Sequence, residues 1–453
     1  MRRPELEDGL PVPRRYAAAA ALSLGTMLAS VDNGMINVAL PTVARDLAVE
    51  PSAAVLVVTV FQLMLIMAVL PFAALGERIG LRRLYMAGMA VYVGAAVLCF
   101  LANSLPLLIG VRALQALGAA AVFGVNSALI RYIYPRARLG AGLALNTVVA
   151  TIVASVSPAI GGLLLAHLHW PWLFVAIVPF GLLALATGLR ALPDCERHDE
   201  PYDMPGAAMC AAMFGLGVTG IQLAVHGGPW LAAALGIGLS LVLGTIFVRR
   251  ELRQSHPVLP VDLLRFRAIS LPLAASLAAH IGTTSVMLTM PFRLQHSYGF
   301  TPAGAGLMLA PWPMVMMAVA PVSGALSDRL RPGLLGSAGM AIAVPGMLLL
   351  AFLPEAPSHF DILWRFAVAG LGYALFYSPN ARQIIDAAPR QRTAAAGAIA
   401  QTVRLSGQLL GSTTAAVMLV AGIGDGAAPP LVTAALAAIT GLFCLAMLGT
   451  VRR

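Results

Sequence analysis

The stretch ALGERIGLRR at residues 74–83 returns in altered form as GALSDRLRPG at residues 324–333. Each copy is a short charged turn between two long apolar runs, and the copies lie about 250 residues apart. The chain therefore reads as two related halves, each carrying this turn at the same membrane surface. That is the layout of a two-lobed transporter.

Composition supports a membrane protein. The chain has 453 residues, of which 59% are hydrophobic and 11% charged, a balance that a soluble globule of this size cannot bury. Apolar runs of about 20 residues predict transmembrane helices. Fourteen are predicted, near residues 16–40, 53–75, 84–103, 105–130, 139–168, 171–190, 205–225, 229–248, 270–292, 303–326, 334–353, 360–385, 394–421 and 429–450.

A second repeat indicates duplication with an insert. PRARLGAGLALNT, which begins at Pro135, has a counterpart in PRQRTAAAGAIAQT, which begins at Pro389. The predicted fold is an all-α polytopic membrane protein with two pseudo-symmetric six-helix bundles and two extra central helices. The predicted domains are residues 1–193, residues 194–269 with the extra helices and a basic cytoplasmic loop, and residues 270–453.

Charge gives the orientation. The chain carries a net charge of +10 and no lysine, and we place 23 of its 29 arginines in alternate loops and the termini. The positive-inside rule then predicts cytoplasmic termini and a multi-pass protein of the cell (inner) membrane. No basic stripe with aromatic side chains accompanies this charge, so we expect no nucleic-acid partner.

Enzyme and cofactor signals are missing from the sequence. The four cysteines lack metal-ligand or redox spacing. No nucleotide-binding loop, HExxH motif or Ser/His/Asp ordering is found, so we expect no enzyme activity, no cofactor, no metal and no ATP-driven transport.

Several strings occur in the order and spacing of one family. They are VDNGMINVALP from Val31, VRALQALGAAA from Val111, SPAIGG at residues 157–162, YDMPGAAM from Tyr202 and VRLSGQLLG from Val403. With the repeated turn, they resemble the fourteen-span drug:proton antiporter branch of the major facilitator superfamily, which includes multidrug and quaternary ammonium resistance exporters. The sequence departs from the family pattern in Glu77, where Asp is usual, and in Ser157, where Gly is usual.

The resemblance implies a proton-coupled antiporter that exports amphipathic drugs or toxic compounds by alternating access. It is expected to work as a monomer. Its expected partners are protons, a small amphipathic organic substrate and the lipid bilayer. Lipophilic cations are favoured because Asp32 offers one negative charge in an otherwise apolar cavity. A major facilitator exporter or importer of a specific metabolite is the alternative. A lipid-handling protein without ion coupling is a more distant one.

Asp32 and Arg112 are the predicted proton-coupling residues. An intramembrane carboxylate is costly, so Asp32 should face the cavity or a partner and exchange a proton. Arg112 stays charged and would act on that carboxyl electrostatically. Two structural readings remain open: Asp32 only bonds nearby backbone or Asn33, and Arg112 only ties helix backbones together.

Other site predictions follow from the resemblance or from position. The loop motif and inner gate are assigned to Glu77, Arg78, Gly80, Arg82, Asp328, Arg329 and Arg404. The antiporter motif is assigned to Ser157, Pro158, Gly161 and Gly162, which would form a tight, bendable seam. Candidates for the substrate cavity are Phe61, Gln62, Asn126, Asn146, His280, Met287, Tyr373 and Tyr377.

Overall fold

The computed structural model describes residues 9–135, 153, 156–195, 203–225, 227–254, 261–327, 329–388 and 393–450. Within these ranges the chain is helical and contains no strand, which confirms the all-α class. Its helices are α1 Val12–Asp46, α2 Pro51–Ile79, α3 Leu81–Phe100, α4 Leu105–Ile133, α5 Val156–His167, α6 Trp172–Ala191, α7 Met204–Val225, α8 Trp230–Glu251, α9 Arg267–Phe292, α10 Pro302–Leu326, α11 Pro332–Ala351, α12 His359–Asp386, α13 Thr393–Val420 and α14 Ala428–Thr450.

Eleven of the described helices are long and apolar enough to cross a membrane. The long helices α1 and α13 are not among them, because they carry Asp32 with Asn33 and Arg404 with Gln408 respectively. Helix α5 is described continuously only from Val156. The chain is therefore a multi-span α-helical membrane protein.

Local signals set several helix ends. Gly80 separates α2 from α3 with a φ of +107°, a conformation that costs glycine little and other residues much. Ser358 and Asp361 form a reciprocal capping box at the start of α12. At the end of α11, Arg293 donates to the carbonyl oxygens of Leu350 (2.8 Å) and Ala351 (3.1 Å).

Helix packing repeats between the halves. In the first half α3 and α2 both pack on α4, and α1 packs on α6; in the second half α11 and α10 pack on α12, and α9 packs on α14. Glycines allow the closest of these contacts. A Cβ on Gly118 would lie 2.6 Å from the carbonyl oxygen of Gly88, and one on Gly339 would lie 2.5 Å from that of Gly372. These four glycines therefore mark the same α3–α4 type of contact in both halves.

The halves meet through α2 with α13 and α1 with α9, and through α5 with α10. Helix α7 packs on both α2 and α13, while α8 packs on α7. The outer side of α8 is apolar and exposed, as at Leu235, Leu239 and Val242. The α7–α8 pair thus adds to the side of the molecule and leaves the contacts between the halves intact.

An ion pair closes the α7–α8 pair at one end. Arg250 donates to both carboxylate oxygens of Asp203 at 2.6 Å, and the backbone N–H of Gly206 donates to the same carboxylate. The hydrogen bonds from Arg250 hold the pKa of Asp203 below its ordinary value. Because the folded pKa is the lower one, this contribution to stability is present above about pH 4 and is lost as the pH falls through the folded pKa.

We predict that Asp203→Asn lowers the unfolding free energy by up to about 1 kcal/mol at pH 7, since the pair is partly solvated. The difference from the wild type should shrink below about pH 4. Thermal unfolding in detergent across this pH range measures it, with Asp46→Asn as the exposed-carboxylate control. A difference that persists undiminished in acid would contradict this account.

Candidate functional site

Asp32 on α1 and Arg112 on α4 form a buried ion pair. The exposed fraction is 2% for the Asp32 side chain and 0% for that of Arg112. Arg112 Nη1 donates to Asp32 Oδ2 and also to Gln115 Oε1 at 2.8 Å. Gln115 lies one helical turn after Arg112, so its amide oxygen and the Asp32 carboxylate share one guanidinium nitrogen.

Aromatic rings enclose this pair. The guanidinium carbon of Arg112 lies 4.3 Å from the ring centroid of Phe61 on α2 and 5.5 Å from that of Phe174 on α6. Such contacts stabilise a desolvated cation. Arg112 Nη2 and Gln115 Nε2 have no hydrogen-bond partner among the described residues. The cluster therefore ties α1, α2, α4 and α6 together and retains unused donors beside the carboxylate.

The pairing changes one expectation. The preference for lipophilic cations assumed that Asp32 presents an unbalanced negative charge to the cavity. The structure contradicts that assumption, because the Asp32 side chain is only 2% exposed and its charge is balanced by Arg112. Asp32 faces a partner, which is one of the two positions that the sequence allowed.

The residues of the antiporter motif lie at two helix interfaces. A Cβ on Gly161 would lie 2.8 Å from Met35 Cα on α1, and one on Gly34 would overlap the Ser157 hydroxyl. On the other side of α5, a Cβ on Gly162 would lie 2.9 Å from the carbonyl oxygen of Pro302 on α10. The motif thus joins α1 of its own half to α10 of the other half.

Pro158 belongs to the same contact between the halves. A Cβ on Gly306 of α10 would lie 2.5 Å from the carbonyl oxygen of Pro158. Backbone therefore meets backbone along α5 and α10, as small residues permit in membrane helices. We call this contact of Pro158 and Gly162 with Pro302, Ala303 and Gly306 the α5–α10 seam.

The described loop-motif residues differ in burial: Glu77, Arg78 and Arg329 are exposed, Arg82 is half-buried and Gly80 is buried. Glu77 forms no ion pair with another described residue. Arg82 donates to both carboxylate oxygens of Asp194 at 3.0 Å, so it bonds the first residue of the segment that follows its half. Asp328 and the cavity candidate Asn146 lie outside the described residues.

The cavity candidates fall into two groups. Phe61 and Tyr373 are fully buried within helix packing, and Gln62 and Asn126 are also buried. The structure thus corrects the placement of Phe61 and Tyr373, because their rings pack on Arg112 and Trp312 and present no surface to a cavity. The remaining candidates are half-buried: His280, Met287 and Tyr377.

Arg404 was assigned to the inner gate, and that assignment stays a prediction. Its side chain is half-buried on α13, and its Nε donates to Gln401 Oε1 at 3.1 Å. One turn further along α13, a Cβ on Gly407 would lie 2.6 Å from His280 Cβ on α9, and the His280 ring lies 4.8 Å from that of Tyr377 on α12. Arg404 therefore belongs to a polar cluster between three helices of the second half.

Several residues of these sites were not predicted. Gln115 stood in the quoted fourth-helix motif and lies at i+3 from Arg112, a spacing that could have identified it. Phe174, Gly34 and Gly306 gave no such signal, because their contacts are with helices distant in sequence.

Comparison with known proteins decides the family. Residues 22–203 and 204–412 match the sequence model of the Major Facilitator Superfamily. The chain belongs to this superfamily. It is accordingly a transporter rather than an enzyme, and its relatives include drug exporters.

Three relatives of this major facilitator protein show the range of named functions. The uncharacterized transporter YebQ of Escherichia coli K12 is 38% identical over 414 residues, covering 91% of each chain. The riboflavin transporter RibZ of Clostridioides difficile is 27% identical, covering 86% of this chain and 85% of RibZ. The multidrug efflux pump LfrA of Mycolicibacterium smegmatis is 28% identical, covering 88% and 80% respectively.

A solved structure agrees on the fold. The crystal structure of a POT family transporter in complex with a thioalcohol-conjugated peptide superposes with a TM-score of 0.74 and covers 96% of each chain. Sequence identity to that transporter is 15%, so the likeness concerns the fold alone.

We predict strong coupling between Asp32 and Arg112 in stability. Arg112→Gln leaves a buried carboxylate without its partner and should cost about 3–5 kcal/mol, whereas Arg112→Gln with Asp32→Asn should cost less than the sum of the two single changes. Unfolding in mixed micelles measures this cycle. The exposed Arg82–Asp194 pair is the control, with an expected coupling below about 1 kcal/mol. Equal coupling in the two cycles would contradict a buried pair.

We predict that Gly162→Val separates the α5–α10 seam, because its side chain would meet backbone atoms of α10. A single cysteine at Leu165, which packs in the cores of both halves, reports the separation in a chain whose four native cysteines are replaced. Maleimide should modify it several-fold faster in Gly162→Val. Gly238→Val, at a position with open space, should leave the rate unchanged. Equal rates in both variants would show that the seam tolerates the side chain.

Proposed function

We propose that this protein is a proton-coupled antiporter that exports amphipathic organic compounds by alternating access. The observation that carries the proposal is the closed Asp32–Arg112 pair in the membrane-spanning part of the first half. A titratable carboxyl held by a permanent cation is a device that can link a proton to a movement. LfrA, which is named a multidrug efflux pump, supports the direction of transport and the breadth of cargo.

The proposed arrangement has fourteen spans in three parts: residues 1–193, 194–269 and 270–453. The repeated helix pairings of the two halves support this division. The alternating distribution of arginine supports cytoplasmic termini in the inner membrane. We propose that the monomer is the functional unit, since residues of both halves share buried cores within one chain, as Leu288 and Leu405 do in the core of the first half and Val38 in that of the second.

A proton on Asp32 would break the balance of charge in the cluster. Arg112 remains charged, so protonation leaves a buried cation without its counter-ion, which is strongly unfavourable. Gln115 Oε1 holds Arg112 on α4. The uncompensated charge of Arg112 can be relieved if α1 moves relative to α4. This movement would bring water or another acceptor to Arg112 Nη2 and Gln115 Nε2.

Helix α1 carries that movement to the other half. Gly34 and Met35 follow Asp32 within one turn and contact Ser157 and Gly161 of α5. The opposite side of α5 forms the α5–α10 seam. Protonation at Asp32 is thus two helix contacts away from the α5–α10 seam, and a shift of α1 would loosen or close that seam.

The loop motif supplies the proposed latch at the cytoplasmic end. Glu77 is exposed and unpaired with any described residue, so it is free to bond across the halves in the outward-facing state. Arg82 already bonds Asp194, the first residue of the central segment, and would hold the turn in place while the latch opens.

A specific metabolite is the second candidate cargo. RibZ, named a riboflavin transporter, is also similar along most of both chains. The half-buried polar cluster of His280, Tyr377 and Arg404 favours this candidate, because a few placed polar groups give a pocket its specificity.

We predict that Asp32→Asn abolishes proton-driven efflux while the protein still inserts in the membrane. Energised inverted vesicles are tested with ethidium, riboflavin and 1-naphthoate as cationic, neutral and anionic probes, with and without a protonophore. Asp46→Asn, which alters an exposed carboxylate paired with its neighbour Arg45, should retain efflux.

The outcomes separate the readings. Wild-type efflux that stops with protonophore and in Asp32→Asn supports proton coupling through this residue. Efflux that survives Asp32→Asn removes the residue from the mechanism, and efflux insensitive to the protonophore removes proton coupling. Movement of riboflavin alone favours the metabolite transporter.

A further inference from the structure

Charge is unequal between the two halves. In the membrane-spanning part of the first half, Asp32 and Arg112 balance each other. In the second half, Arg404 lies 11 residues into α13, and no described carboxylate lies within ion-pair distance of it. Arg382, by contrast, pairs with Asp386. Arg404 Nε donates to Gln401 Oε1 at 3.1 Å, but this neutral amide does not balance its charge. A cation at this depth without a counter-charge among the described residues marks a functional site by default.

Arg404 lies on the side of α13 that faces α9. Gly407 and Gly411 follow it at i+3 and i+7 and so share its helix face. A Cβ on Gly407 would lie 2.6 Å from His280 Cβ, and one on Gly411 would lie 2.6 Å from the carbonyl oxygen of Ile281. The guanidinium therefore extends from the α9–α13 contact, where both helices also meet α12.

Aromatic rings continue from this point. The ring centroids of His280 and Tyr377 lie 4.8 Å apart, and those of Tyr377 and Tyr373 lie 5.8 Å apart with an interplanar angle of 28°. Tyr373 in turn stacks on Trp312 at 5.1 Å. Tyr373 and Trp312 are buried and fix the stack, while His280 and Tyr377 keep exposed surface.

Hydrogen bonds orient the half-buried rings of His280 and Tyr377. His280 Nδ1 lies 2.7 Å from the carbonyl oxygen of Ser276, which can only accept, so Nδ1 carries the hydrogen. The Nε2 atom of neutral His280 is then an acceptor, and no described residue bonds it. The Tyr377 hydroxyl pairs with Thr283 Oγ1 at 3.1 Å. The rings are therefore held in place by these hydrogen bonds. The groups left for a ligand are the guanidinium of Arg404 and the Nε2 acceptor of His280.

We propose that these residues form the cargo site and that the cargo is an aromatic organic anion. This inference rests on the proposed transport function and adds its substrate class. The acidic group of the cargo pairs with Arg404, its ring lies against His280 and Tyr377, and a hydroxyl or N–H donor on the ring bonds His280 Nε2. A cationic cargo meets repulsion from Arg404 and finds no free carboxylate at Asp32.

Three probes of one ring system test the charge preference. They are 1-naphthoate, neutral 1-naphthamide and cationic 1-naphthylmethylammonium. Binding to the full chain in lipid nanodiscs is measured by isothermal titration, with empty nanodiscs subtracted. We expect 1-naphthoate to bind at least about tenfold more tightly than the amide, as a charged hydrogen bond contributes, and the cation to bind most weakly.

Variants assign the preference to Arg404. Arg404→Gln should reduce the preference for 1-naphthoate over the amide to about twofold or less, and Arg404→Lys should restore most of it, because the charge returns. Arg331→Gln, an exposed arginine outside this cluster, should bind as the wild type does. Tyr377→Leu should weaken all three probes alike. Unchanged unfolding temperatures establish that each variant is folded.

Three results would overturn the inference. They are equal affinity for the acid and the amide, an acid preference that survives Arg404→Gln, and absence of 1-naphthoate binding to the folded wild type. Proton-driven efflux of another probe alongside any of these leaves the proposed function standing. Arg404-dependent binding of 1-naphthoate without proton-driven movement would leave the site standing and remove the proposed function.

Discussion

A charge buried among membrane helices needs a counter-charge, and the packing of the first half depends on how this need is met. Asp32 and Arg112 neutralise each other, with Gln115 as a further acceptor and Phe61 and Phe174 against the guanidinium. Removing either charge leaves the other without compensation in an apolar setting. The pair therefore ties four helices together, and in the proposed function a single proton on Asp32 would disturb that arrangement.

The route from this pair to the rest of the molecule is short and built from small residues. Gly34 admits Ser157, Gly161 admits Met35, and Gly162 admits the backbone of α10. Association of membrane helices depends on such close packing, since lipid is as apolar as the side chains themselves. Close contacts at glycines leave few flexible side chains between these helices. A displacement of α1 would therefore also displace α5 and α10.

Much of the fold could be predicted from the sequence, because length and apolar composition fix membrane helices and the two charged turns reveal the repeat. The site was only partly predictable. Asp32 and Arg112 stood out because intramembrane charge is costly. The setting of Phe61, Tyr373 and Arg404 was not predictable, because a helix that is apolar on its lipid side and its protein side shows no periodicity that tells inside from outside.

Because sequence alone does not show which side chains meet, it also suggested a different class of cargo. Asp32, an acid within a predicted membrane helix, suggested a cationic substrate. Only its spatial pairing with Arg112 shows that its charge is already balanced. In the proposed cargo site, Arg404 with its aromatic neighbours is the charged group offered to a ligand. On this proposal, the substrate class depends on which charges are left without a counter-charge after folding, and the sequence alone does not show that.

The central claim is that the Asp32 carboxyl exchanges a proton as the pair opens and closes. Infrared difference spectroscopy of the reconstituted protein, recorded between high and low pH, measures it directly through the carbonyl stretch of a protonated carboxylic acid. The account predicts such a band in the wild type that is absent in Asp32→Asn and altered in Arg112→Lys. A band that remains unchanged in Asp32→Asn would show that the transported proton resides on another group.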